Sequence, residues 1–220
     1  MAAGRASPAP CAPMMALRFT LLSEGSSDRA LIPIIVWTLR QHGRRNFQAQ
    51  WADLRGLLEP PRSLEKDLDA ALQLYPCELL FVHLDADSAG RKARVEKISR
   101  AVRHLHEPPT VCVIPVRTME AWFLFHEQAI RFAAGNPNGS MELDLPRWSE
   151  IEALRKPKEK LIGLLRQASG LSARRRRGVR WHRQIHRIAE LIDDFSPLRR
   201  LSAFDAFEKD LTGLLAARGW

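Results

Sequence analysis

Long apolar runs are missing from this chain. A membrane-spanning helix needs roughly 20 consecutive apolar residues, and the longest candidate, Leu31–Leu39, is short and flanked by charge. That excludes a helical membrane protein, and a soluble chain with no membrane partner is expected. Cysteine is scarce: Cys11, Cys77 and Cys112 show no CxxC spacing, and an odd number argues against a disulfide framework. A reducing cytoplasm fits, with Cys77 and Cys112 as small buried hydrophobes. The 7 histidines lack zinc-ligand spacing, since His182 and His186 lie four apart with no third partner. Nucleophile elbow, Gly-rich phosphate loop and internal repeat are all absent. Met1–Met14, rich in Ala and Pro, has no apolar block of the kind a secretory signal carries. It reads either as a disordered leader or, because Met14 and Met15 stand just before the first strand-like run, as the product of an upstream start site.

What is present suits a packed core. With 220 residues and 45% hydrophobic content, the chain can bury one α/β domain and a smaller appendage. Arg18–Leu22 predicts a short strand, Ser23–Ser27 a turn, and Asp28–Gln41 a helix with Leu31, Ile34, Ile35 and Leu39 at helical spacing and Ser27 as N-cap. Phe47–Trp51 predicts an edge strand and Ser63–Leu74 an amphipathic helix. Leu79–Leu84, interrupted only by His83, predicts a buried central strand. Gly90–His104 predicts a helix that Pro108-Pro109 stops, before a strand over Val111–Val116 and a helix over Met119–Ala134 capped by Thr118. Gly135–Arg147 reads as a loop, then Glu150–Gln167, Trp181–Asp193 and Ala203–Arg218 as helices. Strands alternating with helices imply a Rossmann-like α/β fold, mostly parallel, flanked by helices and followed by a helical C-terminal extension. The expected division is a leader over 1–15, an α/β domain over 16–134, and a helical basic extension over 135–220 packed on the same domain.

Acidic residues fall just beyond the strand-like runs: Glu24, the pair Asp85 and Asp87, and Glu120. Open parallel sheets place their chemistry at such ends. Four carboxylates at one edge would repel one another unless a hard cation sat among them, and Mg²⁺ or Mn²⁺ suits oxygen ligands. If the strand persists, Asp85 and Asp87 point to one side with Cα atoms roughly 7 Å apart, so both could serve one hydrated ion. Plainer readings stand beside these: a solvated loop for the aspartates, an exposed turn acid for Glu24, and an acid favoured by a helix N-terminus for Glu120.

The runs Leu21-Leu22-Ser23-Glu24-Gly25-Ser26-Ser27-Asp28, Phe81-Val82-His83-Leu84-Asp85-Ala86-Asp87 and Ile114–Leu124 resemble the Toprim domain of topoisomerases, primases and the overcoming-lysogenization-defect nucleases. More narrowly they look like a family of small stand-alone Toprim-like proteins associated with bacterial defence or mobile elements. The resemblance covers about Arg18–Phe125. It implies that Asp85 and Asp87 hold Mg²⁺ and that Glu24 is a metal ligand or general acid/base; Glu120 matches an acid of the narrower family only. It further implies a nuclease with nucleic acid, and a defence protein, as partners.

Positive charge is concentrated. Ser172–Ala189 holds Arg174, Arg175, Arg176, Arg177, Arg180, Arg183 and Arg187 and no acid, leaving 27 of the 34 Lys and Arg against 25 acids elsewhere. If five or six of these arginines each met a phosphate, binding would fall with salt on a log–log slope of order −5. A flexible linker or an acidic partner is the plainer reading. Arg117 could pair with a carboxylate or a phosphate, and Lys158 and Lys160 could stabilise transition-state charge or be a solvated run. Two other functions stay open: a haloacid-dehalogenase-type phosphatase with Asp85 as nucleophile and Asp87 as acid/base, and a non-catalytic Toprim-like scaffold that binds nucleic acid or a partner.

Overall fold

Leu17, Phe19 and Leu21 face one way and their neighbours the other, the period of two that a strand imposes. They belong to β1 (Leu17–Leu22), which pairs in parallel with β2 (Phe47–Ala52) on one side and β3 (Leu79–His83) on the other. A fourth strand, β4 (Thr110–Val113), pairs in parallel with β3. The computed structural model describes residues 16–43, 46–59 and 63–220, so the expected leader, with Cys11, lies outside the described residues. The sheet order is β2-β1-β3-β4, all parallel, and the fold is α/β as expected. From β1 the chain steps outward to β2 and then crosses back to β3 on the other side of β1. Such a reversal opens a crevice between the carboxyl ends of β1 and β3.

Helices cover both faces. Leu80 and Val82 meet Leu68 and Ala71 of α2 (Leu64–Leu74) and Ile98 and Ala101 of α3 (Gly90–Ala101). The other face, with Phe19, Leu21, Phe81 and Val113, packs on α1 (Leu31–His42) and on helices that follow β4. These are α4 (Glu127–Ala133), α5 (Trp148–Ile151), α6 (Pro157–Ala168), α7 (Ala173–Arg176), α8 (Trp181–Glu190) and α9 (Ser202–Arg218), of which α7 contributes no buried residue. Phe81 meets Phe207 of α9 with ring centroids 6.2 Å apart. One apolar cluster therefore contains residues from both sides of position 134.

Three expected helices are divided, and those expected over Gly90–His104 and Trp181–Asp193 end at Ala101 and Glu190. Glu150–Gln167 splits into α5 and α6 because Pro157, lacking an N–H, cannot continue a helix but suits the first turn of a new one. Met119–Ala134 splits into a 3₁₀ turn over Met119–Phe123, wholly buried, and α4, whose start His126 caps by accepting the Ala129 N–H at 3.1 Å. Asp28–Gln41 also divides, since a 3₁₀ turn over Ser26–Ala30 precedes α1. Ser27 consequently does not cap α1; it lies inside that turn and donates its hydroxyl to Asp28 Oδ1. Cys77 and Cys112 are free and half-buried, and burial pushes the Cys112 thiol up to about 11, so it packs as an uncharged group. Among the described residues, no helix is long and apolar enough to cross a membrane.

Candidate active site

The crevice between β1 and β3 is where the sequence places its acids, and the structure sorts them into separate groups. β3 ends at His83, and Asp87 adopts a left-handed backbone at φ 48°. The strand does not persist through Asp87, so the alternation that would have put both aspartates on one side does not apply. Asp85 is half-buried and accepts the Met119 N–H through Oδ1 at 3.1 Å. Asp87 is exposed, and its carboxylate faces Arg94 on α3 at 3.4 Å. Arg117, also left-handed at φ 65°, clasps this loop: its carbonyl accepts the Asp87 N–H at 3.1 Å and its guanidinium donates to the Asp87 carbonyl at 3.1 Å. Two non-glycine residues in this region carry strain of order 1–3 kcal/mol each. Strain of that kind gathers where a site holds groups in fixed places.

Beneath Asp85 lies a charge cluster that sequence reading missed. His83 is fully buried on β3, and its Nδ1 donates to the Val113 carbonyl at 2.9 Å. A carbonyl only accepts, so Nδ1 carries a proton. Nε2 then faces two carboxylates, Asp85 Oδ1 at 3.4 Å and Asp28 Oδ2 at 3.9 Å. Burial alone would push this imidazole down, but the hydrogen bond to Asp85 and the charges of Asp28 and Asp85 hold it above its ordinary value. Asp28 is itself buried and accepts the Gly25 N–H at 2.7 Å, which pins the turn after β1. In sequence Asp28 looked like a residue of a helix start, and His83 only interrupted an apolar strand. The signal available was their charge at positions that had to be buried.

A raised imidazole gives folding a pH dependence. Above pH 6.5 the native state holds a proton that the unfolded chain has released, so stability falls as pH rises toward the folded value. His186, pushed down by burial and by Arg29, acts only below pH 6.5 and with the opposite slope. In EDTA, the melting temperature is therefore expected to decline between pH 6.5 and 8, and His83→Gln should flatten that decline. A melting temperature that rises over this range would contradict the raised imidazole.

Glu120 is buried in the Met119–Phe123 turn, next in sequence to the amide that holds Asp85. Its Oε1 has no hydrogen-bond partner among the described residues and lies 3.4 Å from Lys158 Nζ on α6. Lys158 thus approaches the site, whereas Lys160 pairs with Asp144 at 2.6 Å.

Glu24 is exposed and lies two residues past the last β1–β3 register pair, Leu22↔Val82; Asp85 lies three past it on β3. Both stand on the same sheet edge. Glu24, however, lines a cleft with Asp67 and Lys97, on the α2–α3 side of the sheet, and its charge reaches Asp67.

Arginines of the basic segment are exposed, apart from half-buried Arg176. Arg174, Arg175, Arg176, Arg177, Arg180, Arg183 and Arg187 all lie on or beside α7 and α8. Ion pairs among the described residues include Arg131 and Arg199 but none of these seven. Trp181, Ile185, Ile188 and Ala189 form the buried stripe of α8. That stripe seats α8 on α4 and on the Ser26–Ala30 turn that carries Asp28. Arg183 and Arg187 thereby ride on a helix seated against the loop that follows β1, whereas Arg176 borders the end of α6.

The structure does not gather Glu24, Asp85, Asp87 and Glu120 into one ligand set: among the described residues no three His, Cys, Asp or Glu side chains form a metal-binding group. The donors fit Mg²⁺ in a narrower way. This ion keeps several waters and binds through one or two carboxylates plus substrate phosphates. Asp85, whose side chain is 31% exposed, and Asp87, at 57%, offer that pair. No protein-family model, curated protein or solved structure matches the chain.

Proposed function

We propose that the chain is a Toprim-like nuclease that hydrolyses phosphodiester bonds in nucleic acid with Mg²⁺ or Mn²⁺, in the cytoplasm, in defence or mobile-element biology. The observation that carries this reading is the joining of two features at one sheet edge. A strained, partly exposed Asp85–Asp87 loop lies at the β1/β3 crevice, and an arginine-rich helix is seated on the turn after β1.

Asp85 and Asp87 would hold the ion, which when bound supplies a hydroxide nucleophile and neutralises the leaving oxygen. His83, with Nδ1–H bonded to the Val113 carbonyl and Nε2 3.4 Å from Asp85 Oδ1, fixes the Asp85 carboxylate in place, and the Met119 N–H holds it from the other side. Glu24, solvent-facing at the rim, takes the proton of the attacking water. Arg117, which bonds the loop, and Lys158, beside Glu120, would meet phosphate oxygens, and the α7–α8 arginines would hold the strand through its backbone.

Incubating single- and double-stranded DNA and RNA with the protein should give cleavage in Mg²⁺ or Mn²⁺ and none in EDTA. Cleavage that survives EDTA would reject the reading. The missing three-residue ligand group favours a second one, a non-catalytic Toprim-like protein that binds nucleic acid or a defence partner. Binding in EDTA with no turnover on any of these substrates selects it. A phosphatase using Asp85 as nucleophile has less support, because the Asp87 carboxylate that would be its acid/base lies 3.4 Å from the Arg94 guanidinium.

A further inference from the structure

A second cleft lies beside the turn that follows β1. About 520 Å³ opens between the Ser26–Ala30 turn, the first residues of α1, the edge strand β2 and α8, within the range of small-ligand sites. Ile32, Pro33, Ala49 and Trp51 give it an apolar lining, and its polar groups are Ser26, Arg29, His186 and Glu190. The buried stripe of α8 packs on the turn and so brings His186 and Glu190, one helical turn apart, to the cleft that Ser26 and Arg29 line from the turn. Arg183 stands one turn before His186 on the same helix and is exposed.

Charge in this cleft is unbalanced. Burial first and Arg29 second hold the His186 imidazole below its ordinary value, and Arg29 acts on it more strongly than either Glu190 or Asp28, which pull the other way. A guanidinium and an imidazole that oppose each other's charge store a repulsion that an anion between them would relieve. Among the described residues the ion pairs closed by histidine involve His42, His83 and His104, and none involves His186, Arg29 or Glu190.

Phosphate is the anion that suits these donors. An arginine fork grips two of its oxygens, a hydroxyl and an imidazolium N–H reach the others, and an apolar lining strengthens all three by lowering the local dielectric. The volume admits the attached sugar as well. Resting on the nuclease reading for the source of the phosphate, we propose that this cleft seats one phosphate group of the bound strand, with Arg29, His186 and Ser26 Oγ as donors. The grip tightens as His186 takes up a proton. A phosphate fixed there ties the strand to the same turn whose Asp28 faces His83, the neighbour of Asp85.

Sulfate is the first probe, because it has the shape and charge of a phosphate dianion and does not titrate near neutral pH. Calorimetry in EDTA at constant ionic strength should show it binding roughly tenfold tighter at about pH 5.5 than at about pH 7.5, the weight of one charge-assisted hydrogen bond. The His186 C2–H resonance should titrate at higher pH when sulfate is present. Arg29→Gln should weaken sulfate about tenfold at either pH, and it should let the free His186 titrate at higher pH. His186→Gln should remove the pH dependence. A short oligonucleotide in EDTA should compete with sulfate and lose affinity in Arg29→Gln. No sulfate binding, or a His186 resonance that sulfate leaves unmoved, would overturn the proposal. Sulfate that the oligonucleotide does not displace would reject the strand as the source. Competition without cleavage of any substrate would instead reject the nuclease and keep the phosphate site.

Discussion

Asp85→Asn is expected to lower metal-dependent cleavage by at least about 100-fold, since even outer partners of a metal ligand cost 10–100-fold when removed. Asparagine keeps the shape and can still accept the Met119 N–H, so the loop should stay in place. What disappears is a full negative charge facing both solvent and the buried His83. The same change should weaken Mn²⁺ binding, read by the free-ion signal in electron paramagnetic resonance, which reports on the site without any substrate. Asp87→Asn should cost less, because Asp87 is more exposed and already shares its charge with Arg94. Equal cleavage by Asp85→Asn and the parent chain would remove Asp85 from the chemistry.

The largest stability effect is expected at Trp122. Its ring packs edge-on against Phe204 at 5.5 Å and tilted against Phe207 at 6.1 Å, and it is 1% exposed. Truncation to alanine would remove that burial and leave a cavity between the Met119–Phe123 turn and α9. The cost should be about 3–5 kcal/mol, or a fall in melting temperature on the order of 10 °C for a chain of this size. Urea denaturation would read it directly. Trp122→Phe should cost far less, because Trp122 Nε1 has no hydrogen-bond partner among the described residues and phenylalanine removes that buried donor. A loss for phenylalanine equal to that for alanine would show that the indole N–H is satisfied in solution. Because Trp122 shares its turn with Met119, the alanine variant should also loosen Asp85 and reduce cleavage beyond what its unfolding explains.

Periodicity carried the sheet and most helices. Leu79–His83 reads as a central strand because only His83 interrupts its apolar run, and α9 because its apolar positions recur across 17 residues. Breaks were harder to see. Pro157 lies within a helical pattern, and only its missing N–H marks the end of α5 and the start of α6. The site was legible one residue type at a time but not as an assembly. Glu24 and Asp85 both reach the crevice, yet Glu24 lines the cleft on the α2–α3 side while Asp85 lies beside buried His83. The strand alternation expected to align Asp85 with Asp87 stops at His83, and Asp87 is left-handed, which no tripeptide pattern encodes. Asp28 and Asp67 escaped notice because each lies near a helix start, where acids are ordinary.

The cover on the β3–β4 half of the sheet comes late in the chain. Phe81 waits for Phe207, and β4 for α9. While a ribosome is still making the first 134 residues, α1 covers the β1–β2 half of that face and the β3–β4 half lacks its later cover. Apolar surface left open in this way is what makes partly made chains prone to associate, until α9 emerges and closes the molecule.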